Sequence, residues 1–559
     1  NSRTERTGYD RRLKARRVCP ANSLSSSKLE LLSVRKLPHV NERCQTCHTL
    51  DRLVAVEGRV NVMISRADYA RYRAAGYNRI PLVREILADL ETPVSTYIKL
   101  ARGPYSYLLE SVQGGEKWGR YSMIGLPCTT VIRVDGDQLV IEEDGEVIHS
   151  QTTPDPLSAI QSIQQQFHVP QIDAMPRFTG GLVGYFGYDT VNYVETHLGA
   201  SVRPDPVAAP DILLMVSDEV VVFDNLSGRL QVIVHTDPEA EKAFENGNDR
   251  LDDLVAQIEQ QATSGEVPYL GQVGEEDFTP SFERERFESA VEASKTYIRS
   301  GDVFQVVLSQ RLSIPFRTEP LTLYRALRTV NPSPYMYFLD LEDFHIVGSS
   351  PEILARLEDR EVTVRPIAGT RRRGQSEEED LALEKELISD PKELAEHLML
   401  VDLGRNDVGR IAEIGSVDLT SKMEIERYSH VMHIASNVVG TLREDLDAID
   451  VLRATFPAGT VSGAPKVRAM EIIEELEPDR RGIYSGAVGY IGWNGNMDTA
   501  IAIRTAILAN GQLYIQAGAG IVAGSIPANE WKETMNKGRA VFRAASLAAQ
   551  GLDLSVLEE

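Results

Sequence analysis

Four glutamates stand in two pairs of equal spacing and could together hold a metal ion. Glu393 and Glu396 lie three residues apart in a segment with helical spacing, and Glu530 and Glu533 repeat that spacing near the C-terminus. Residues three apart share one face of a helix. Four carboxylates brought together would repel one another unless a hard cation or protons neutralised them, and Mg²⁺ is the natural guest. The alternative is ordinary, because Glu393 suits the third position of a capping box begun by Asp390, and glutamates on solvated helix faces are common.

Two histidines, His430 and His433, also stand three residues apart. That spacing fits a zinc pair, a general base with a neighbour, or two buried polar side chains, and the sequence alone leaves all three open. The chain has no Gly-x-Ser-x-Gly elbow and no Walker loop, and the surroundings of Cys128 do not form a nucleophile elbow either. Covalent catalysis by serine or cysteine is therefore not expected.

Two glycine-rich segments could present backbone N–H groups to an anion. Residues 516–524 follow a short predicted strand, and glycine permits close approach of a ligand to the backbone there. Residues 457–466 form a turn into a predicted helix start, which also suits a carboxylate or a phosphate. Each segment taken alone is more often just a tight turn, and the first lacks the spacing of a dinucleotide fingerprint.

The elements that must position these groups are short strands in the first half of the chain and well-marked helices in the second. Alternating apolar runs at 131–134 and 139–141 are separated by an Asp-Gly pair, which is typical of a hairpin turn. A helix is expected to stop at Gly301 and to precede a buried strand over 303–308 that contains Gln305.

Two further helices have clear starts in the sequence. Asp390 and Pro391 are typical N-cap and first-turn residues for a helix that continues through Leu400. Ala464 and Pro465 open a second helix, which is expected to end before Pro478.

Length and charge place the chain among large soluble globular proteins. Its 559 residues are 42% hydrophobic, and 59 Lys and Arg stand against 82 Asp and Glu, a net charge of −23 that argues against a nucleic-acid binder. No apolar run approaches the roughly 18 residues that a membrane helix needs. Four cysteines do not support a disulfide framework, so a reducing, cytoplasmic location is expected.

Residues 1–62 are predicted to be a basic, disordered extension. Residues 1–50 hold eleven Lys or Arg against four acidic residues and lack hydrophobic periodicity. A disordered tail, an organelle transit peptide and translated upstream sequence before Met63 all remain open. Residues 44–48 match the haem-attachment pattern C-x-x-C-H, but no apolar signal-peptide core precedes them, and chance is the better explanation.

Together these stretches resemble the chorismate-utilising enzymes, and within them the large subunits of anthranilate synthase, over about residues 77–548. The motifs that carry the resemblance are the segments 366–371 (PIAGTR), 396–407 (EHLMLVDLGRND), 457–466 and 518–524. The resemblance implies an α+β fold in which large antiparallel sheets pack as a sandwich with helices on the outside. It also implies an N-terminal subdomain with a tryptophan regulatory site (77–259), a linker (260–279) and a chorismate-binding catalytic domain (280–548).

The resemblance implies a reaction in two stages. Ammonia adds at ring carbon two of chorismate with loss of the ring hydroxyl, and pyruvate is then eliminated to give anthranilate. Carried over by motif, His433 would remove the ring proton, with Glu352 orienting it and Thr460 nearby.

The same resemblance implies ligands for Mg²⁺ and for the substrate. Glu396 and Glu533 would bind the metal, with Glu393 and Glu530 beside them. The residues that match the family's substrate contacts are Gly369, Thr370, Tyr484, Arg504, Gly518, Ala519 and Gly520.

Two positions distinguish relatives that share the fold. Isochorismate synthases resemble this chain but carry a lysine base where Gln305 stands, and an amide does not activate water as an amine does. Aminodeoxychorismate synthases typically carry a nucleophilic lysine where Ala368 stands. Direct attack by ammonia is therefore the expected chemistry, and aminodeoxychorismate synthases and salicylate-forming enzymes are the enzymatic alternatives.

A regulatory site is also implied. The segment that contains Ser111 and the segment 331–336 match the two walls of the family's tryptophan feedback site. Ser111, Pro334, Tyr335 and Met336 would then contact tryptophan, with coupling to the active site. Ordinary core packing is the structural alternative.

Partners follow from the same resemblance. Ammonia would come from a glutamine amidotransferase subunit, because the chain has neither the required cysteine nucleophile nor spare length after residue 548 for a fused one. A heterotetramer of two large and two small subunits is expected. An inactive, tryptophan-responsive binding subunit is the non-enzymatic alternative, and it would require loss of a metal or base residue.

Overall fold

The computed structural model describes residues 64–112, 120–173, 175–199, 201, 203–261, 271–428 and 431–554. These residues belong to one compact unit, Asn61–Glu559. The predicted extension at 1–62, the C-x-x-C-H motif and His430 lie outside the described residues.

Strands dominate the described chain. Their bounds are β1 (Ile80–Leu87), β2 (Ser106–Glu110), β3 (Tyr121–Gly125), β4 (Thr130–Asp135), β5 (Gln138–Glu143), β6 (Glu146–Thr152), β7 (Gly181–Phe186), β8 (Ile212–Ser217), β9 (Glu219–Asp224), β10 (Arg229–Thr236), β11 (Thr279–Pro280), β12 (Gln305–Pro315), β13 (Tyr335–Asp340), β14 (Phe344–Ser350), β15 (Ile353–Glu358), β16 (Glu361–Val364), β17 (Ile367–Arg372), β18 (Asp418–Arg427), β19 (Val431–Thr441), β20 (Gly463–Ala464), β21 (Ala487–Gly492), β22 (Met497–Ile501), β23 (Thr505–Ala509) and β24 (Gln512–Ile521).

The helices of the described chain are mostly short, with one long helix at the C-terminus. They are α1 (Arg66–Ala74), α2 (Pro93–Leu100), α3 (Pro156–Gln164), α4 (Ala243–Ile258), α5 (Arg284–Ser300), α6 (Pro320–Val330), α7 (Glu377–Ser389), α8 (Pro391–Gly409), α9 (Ala448–Thr455), α10 (Gly459–Ser462), α11 (Lys466–Leu476) and α12 (Pro527–Ala549), with 3-10 turns at Tyr188–Tyr193 and Glu275–Asp277. Within the described ranges, no helix combines the length and the apolar character needed to cross a membrane.

The strands form two 12-stranded sheets. The first has the order β1-β10-β9-β3-β2-β13-β14-β23-β24-β12-β11, with β20 paired to β12. The second has the order β17-β19-β16-β15-β22-β21-β7-β8-β4-β5-β6, with β18 paired to β19. Neighbouring strands run antiparallel, as β12 and β24 do from Val306↔Ile521 to Pro315↔Gln512.

The largest buried clusters lie between the sheets and on their outer faces. Tyr107 and Tyr337 of the first sheet and Val183 and Tyr185 of the second belong to one buried cluster. The outer face of each sheet packs against helices in a cluster of its own. A strand covered on both faces is apolar at nearly every position, as β8 is. The predicted α+β sandwich with outer helices is confirmed.

Both halves of the chain contribute to both sheets. In the first sheet β2 pairs with β13, and in the second β7 pairs with β21. Strands that precede the predicted linker at 260–279 therefore hydrogen-bond to strands that follow it.

Local expectations agree with the structure at several points. Gly301 ends α5 in the left-handed conformation (φ +85°), and Asp390 caps α8 by accepting hydrogen bonds from the N–H groups of Lys392 and Glu393. The strand that contains Gln305 begins there and continues to Pro315, beyond the predicted end at 308, because β24 pairs along most of its length.

Candidate active site

His433 has a ring orientation fixed by the neighbouring strand. Thr370 on β17 pairs with His433 on β19, and the histidine Nδ1 lies 2.9 Å from the carbonyl oxygen of Gly369 and 3.1 Å from the Thr370 hydroxyl. A carbonyl only accepts, so Nδ1 carries the hydrogen and donates it, which leaves the lone pair on Nε2. Burial lowers the pKa of His433 below its usual 6.5, despite the hydrogen bond to Gly369. The ring is therefore a neutral base at neutral pH.

A glycine is required beside this histidine. Gly369 has φ +69° and lies where the register of β17 on β19 shifts between Ala368 and Thr370. A Cβ on Gly369 would lie 3.1 Å from Leu387 and 3.2 Å from a carboxylate oxygen of Glu393. The Glu393 side chain therefore lies close to the bulge of β17, whose Gly369 carbonyl orients the His433 ring on β19.

Glu352 lies beside Thr460 rather than in a hydrogen bond with the histidine. Burial raises the pKa of Glu352, while Thr460 and the positive charges of Arg504 and Lys537 oppose the rise. The buried Thr460 hydroxyl has no hydrogen-bond partner in the described chain, so it affects the pKa of Glu352 as a neighbour rather than as a direct partner. Among the described residues, the hydrogen bonds that orient His433 come from Gly369 and Thr370, because these residues lie on the paired strand. The expectation that Glu352 orients the ring is thus not met by a direct contact.

Arg504 lies at the centre of a group of charged and polar side chains. Burial lowers its pKa, and Glu352, Tyr484 and Glu533 act in the opposite direction. Its positive charge in turn contributes to the low pKa of His433. These five residues, Arg504, Glu352, His433, Tyr484 and Glu533, are called the Arg504 cluster below.

The backbone at Arg504 is itself unusual. The residue has φ +52°, a conformation that costs free energy for any side chain other than glycine. Such conformations concentrate at functional sites, where the surrounding structure enforces them. The Ser349 N–H, which donates to the Arg504 carbonyl over 3.2 Å, is part of that enforcement.

Residues 516–521 belong to a strand and not, as expected, to a loop. They pair with β12 along one edge of β24, whereas β23 pairs only with the earlier residues 512–515. Lys537 donates from Nζ to the Gly518 carbonyl over 2.9 Å, so that carbonyl points away from β12. In a β-strand, the carbonyl and the N–H of one residue point to the same side, and that side alternates from one residue to the next. The N–H groups of Gly518 and Gly520 therefore point away from β12 as well, while that of Ala519 points towards it.

Close approach explains why residues 518 and 520 are glycines. A Cβ at 518 would lie 2.8 Å from the Tyr484 hydroxyl oxygen, and a Cβ at 520 would lie 2.6 Å from the Gln305 side-chain nitrogen. The tyrosine and the glutamine thus lie directly over the strand. Backbone donors, a phenol and a guanidinium in one place suit a planar carboxylate ligand.

The four glutamates occupy the first two turns of α8 and α12, with Glu393 and Glu530 in the first turn and Glu396 and Glu533 in the second. Glu393 and Glu530 both have raised pKa values, first because of burial and then because of the neighbouring Glu396 and Glu533 respectively. Lys392 at the start of α8 lowers the pKa of Glu530 on α12, so the two helix N-termini lie near each other.

The four carboxylates nevertheless remain two pairs. Glu396 accepts from the Gln305 amide over 3.0 Å, and Glu533 forms an ion pair with Lys537 at 2.8 Å. In the part of the chain that the structure describes, no three acidic, histidine or cysteine side chains form a group that could hold a metal ion. The oxygen donors of the four glutamates, and the raised pKa values of Glu393 and Glu530, fit a hard divalent cation, since such a cation would relieve the repulsion.

A groove of about 850 Å³ lies beside Glu396 on α8. Gln305 and Glu396 line it, together with apolar side chains that include Phe304, Met399 and Pro465. Since Gln305 also lies over Gly520, the groove borders the strand that carries the backbone donors.

Lys537 is a site residue that sequence reasoning missed. Its Nζ joins Glu533 to Gly518, and its charge affects the pKa values of Glu352 and His433. The i,i+4 spacing from Glu533 was visible in the sequence, but such Glu-Lys pairs are common on helix surfaces and carry no functional signal.

A second cavity contains the four residues expected to contact tryptophan. Ser111, Pro334, Tyr335 and Met336 all line one cavity of about 50 Å³, called the Tyr335 cavity below. Both carboxylates in its wall are paired. Asp498 accepts a hydrogen bond from the Tyr335 hydroxyl (2.9 Å) and two from Arg356 (2.7 and 3.1 Å), and Glu110 accepts two from Arg328 (3.0 and 3.2 Å).

The class of protein follows from the fold and from the sequence profile. The profile of the chorismate binding enzymes matches residues 107–543. The menaquinone-specific isochorismate synthase of Escherichia coli shares the fold, with a TM-score of 0.63 at 17% identity over 86% of this chain and 98% of that chain.

Closer relatives are more specific. Anthranilate synthase component 1 of Pseudomonas putida is 61% identical over 87% of this chain and 99% of its own length, and that of Pseudomonas aeruginosa is 60% identical over 88% and 100%. The crystal structure of anthranilate synthase component I from Streptococcus pneumoniae is 39% identical with a TM-score of 0.68, over 82% of this chain and 99% of that chain. The chain therefore belongs to the anthranilate synthase component 1 family of chorismate-binding enzymes.

Proposed function

We propose that the enzyme converts chorismate and ammonia to anthranilate, pyruvate and water, the first step of tryptophan biosynthesis, in the cytoplasm. The observation that carries the proposal is the His433 ring, a neutral base with a free Nε2, in electrostatic contact with Arg504. A base of this kind is needed to remove a ring proton, and a guanidinium is needed to hold a carboxylate. The high identity to anthranilate synthase component 1 supports the same reaction.

Substrate binding uses the Arg504 cluster and the edge of β24 that β23 leaves unpaired beyond residue 515. The Arg504 guanidinium, the Tyr484 hydroxyl and the N–H groups of Gly518 and Gly520 hold the planar carboxylates of chorismate. Gly369 and Thr370 line the opposite side, next to the base. Burial of this charged group strengthens its attraction for an anion, because screening by water is reduced.

The first stage adds ammonia at ring carbon two with departure of the ring hydroxyl. Ammonia is the nucleophile because the chain offers Gln305 and Ala368 at the two positions where relatives carry lysines. The departing hydroxyl needs a proton, and Glu352 can hold one because burial raises its pKa.

The second stage eliminates pyruvate and makes the ring aromatic. Nε2 of His433 takes the proton from ring carbon two, and the electron pair expels the enolpyruvyl oxygen, which leaves as pyruvate. Because Nδ1 donates to Gly369, the ring cannot turn to present the wrong nitrogen.

Glu396 and Glu533 are the proposed Mg²⁺ ligands, with Glu393 and Glu530 beside them. When bound, the cation supplies Lewis-acid polarisation of a substrate oxygen and relief of the repulsion between carboxylates. In the chain itself, the Gln305 amide donates a hydrogen bond to Glu396, and the Lys537 ammonium offsets the charge of Glu533.

Tryptophan is the proposed inhibitor and the Tyr335 cavity its site. Tyr335 begins β13, which pairs with β14 from Tyr335↔Ser350, and Glu352 follows two residues after Ser350. Arg356 on the next strand contacts Asp498 in the same cavity. A ligand that displaces Tyr335 or Arg356 therefore acts on both strands that flank Glu352, which gives inhibition a physical route.

A glutamine amidotransferase subunit is the proposed source of ammonia, in a heterotetramer of two large and two small subunits. The word component in the names of the relatives supports a partner subunit.

Isotope labelling tests the reaction. The protein is incubated with chorismate, Mg²⁺ and ¹⁵N-ammonium at alkaline pH. The products are separated by chromatography, and their ¹⁵N content is measured by mass spectrometry. Labelled anthranilate together with pyruvate is the expected result. Unlabelled isochorismate, or labelled aminodeoxychorismate without pyruvate, would contradict the proposal, as would no turnover even with a glutaminase partner and glutamine.

A further inference from the structure

Arg371 contacts two parts of the proposed site, the strand that orients His433 and the start of the helix that carries Glu393 and Glu396. We propose that Arg371 is a positioning residue that fastens the strand of Gly369 and Thr370 to the helix that carries Glu393 and Glu396. The tasks of those groups rest on the proposed function, whereas the fastening itself rests on geometry alone.

The contacts of Arg371 converge from three elements. Arg371 lies on β17, where it pairs with Met432, next to the Thr370–His433 pair. Its Nε donates to Glu386 on α7 over 2.9 Å, and one Nη donates to Asp390 over 2.9 Å. Its other Nη donates to the Thr370 carbonyl over 3.0 Å and lies 3.7 Å from a carboxylate oxygen of Glu393. A planar guanidinium makes such contacts simultaneously, and an ammonium group does not.

The contact with Asp390 matters most, because Asp390 uses both of its oxygens. One oxygen caps α8 by accepting from the backbone N–H groups of Lys392 (3.0 Å) and Glu393 (3.5 Å). The other accepts from Arg371. The start of α8, and with it the direction of the Glu393 and Glu396 side chains, is therefore tied to β17.

The same residue also restrains the base. The Thr370 carbonyl that Arg371 holds adjoins the bulge at Gly369, whose own carbonyl fixes the His433 ring. The Arg371 guanidinium thus sets where the His433 ring lies relative to Glu393 and Glu396. Small displacements of either group are costly in a site that must align a substrate between them.

Arg372 offers a matched control. It follows Arg371 on the same strand, has the opposite side-chain direction, and its side chain is 61% exposed. Its ion pair is with Glu379 on α7, and it also donates to the Arg373 carbonyl. Replacing it removes one arginine from the same strand without touching α8.

The experiment compares Arg371→Gln, Arg371→Lys, Asp390→Asn and Arg372→Gln in the full chain. Binding of Mn²⁺ as a probe of the carboxylate pairs is titrated by electron paramagnetic resonance without substrate, kcat and KM for chorismate are measured with ammonium, and melting temperature is recorded. Asp390→Asn retains an oxygen that caps α8 but loses the acceptor for Arg371, so it breaks the link while keeping the helix start.

The expected result is that Arg371→Gln and Asp390→Asn each weaken Mn²⁺ binding about 10-fold and lower kcat by a similar factor, as loss of a residue that orients a metal ligand does. KM is expected to change less than kcat, and Arg371→Lys to recover part of the loss. The double variant should be no worse than either single variant, because both break one link. Arg372→Gln should resemble the wild type.

Unchanged Mn²⁺ binding and kcat in Asp390→Asn would overturn the proposal, even if Arg371→Gln proved too unstable to purify. Additive losses in the double variant would overturn it too. Failure of the wild type to form anthranilate would instead contradict the proposed function, and the Mn²⁺ titration would still decide whether Arg371 positions the carboxylates.

Discussion

The Arg504 cluster and the Tyr335 cavity treat buried charge in opposite ways. In the cluster and the adjoining glutamate pairs, burial raises the pKa values of Glu352, Glu393 and Glu530 and lowers those of His433 and Arg504. Burial therefore destabilises the charged form of each of these groups. In the Tyr335 cavity, both carboxylates at the wall are paired with an arginine: Glu110 accepts from Arg328, and Asp498 accepts from Arg356 and from the Tyr335 hydroxyl.

The difference indicates what each region is built to receive. Groups kept in unfavourable ionisation states reduce stability and are typical of sites where a charged ligand completes the arrangement. A small cavity with a neutralised wall suits a ligand with a large apolar ring that enters by displacing side chains. The first region is accordingly the proposed reaction site and the second the proposed regulatory site.

Replacement of the base should have the largest effect on catalysis. His433→Gln removes a neutral base whose contribution is about 10²–10⁴-fold in rate, so kcat for anthranilate should fall by that factor. The aminated, pyruvate-bearing intermediate should accumulate, because the first stage does not need the histidine. Product chromatography measures both. His149→Gln, at an exposed position of β6, is the control, and a variant at 433 with normal anthranilate formation would remove His433 from the mechanism.

Loss of one carboxylate should be the next largest effect. Glu533→Gln keeps the shape of the side chain but removes a charge from the second pair, and activity at fixed Mg²⁺ should fall by about 10²–10³-fold, as for other preorganised electrostatic groups. A Mg²⁺ titration of anthranilate formation checks it. Glu285→Gln, exposed in the first turn of α5, should behave as wild type. Equal Mg²⁺ dependence in both variants would contradict a metal role for Glu533.

A single methyl group on β24 should weaken substrate binding. Gly518→Ala places a Cβ 2.8 Å from the Tyr484 hydroxyl, and overpacking of this kind costs about 1–3 kcal/mol, so KM for chorismate should rise about 10-fold or more. Steady-state kinetics measure the change. In Gly524→Ala the added Cβ meets nothing within 4 Å, and KM should stay at the wild-type value. Equal KM values in the two variants would separate Gly518 from the substrate.

Filling the Tyr335 cavity should change regulation and leave the reaction almost untouched. Ser111→Leu adds three carbon atoms at a cavity of about 50 Å³, so the tryptophan concentration for half inhibition should rise at least about 10-fold, a loss of about 1.4 kcal/mol in binding. Uninhibited kcat should stay within about twofold. Unaltered inhibition would place the tryptophan site elsewhere on the chain.

The smallest expected effect is a displaced pH profile. Burial, Arg504 and Lys537 lower the pKa of His433 below 6.5, and a base works in its neutral form above its pKa. The acidic limb of kcat/KM should therefore lie below pH 6.5 and activity should be lost as the pH falls through it. A limb above pH 6.5 would mean that another group is titrating.

The sequence predicted those parts of the fold and site that depend on local signals. The cap at Asp390, the stop at Gly301 and the hairpin turns follow from residue chemistry and were found in the structure. The motifs identified the family, and the residues expected to contact tryptophan, Ser111 and the distant segment 334–336, line one cavity.

What could not be predicted depends on strand pairing across the chain. Residues 516–521 look like a glycine-rich turn until β12 is known to pair with them. The ring of His433 is oriented by the carbonyl at Gly369, which no side-chain pattern reveals, and Lys537 is recognisable only from its contact with Gly518. These contacts are made to backbone carbonyls of residues far away in the sequence, and the pattern of side chains carries no information about them.

The measurement that tests the account most directly is the fluorescence of anthranilate formed from chorismate, Mg²⁺ and ammonium, with and without tryptophan. The account predicts steady anthranilate formation that requires Mg²⁺ and that tryptophan suppresses. Formation that needs no divalent cation, or no anthranilate at all while chorismate is consumed, would contradict the assignment of the reaction site.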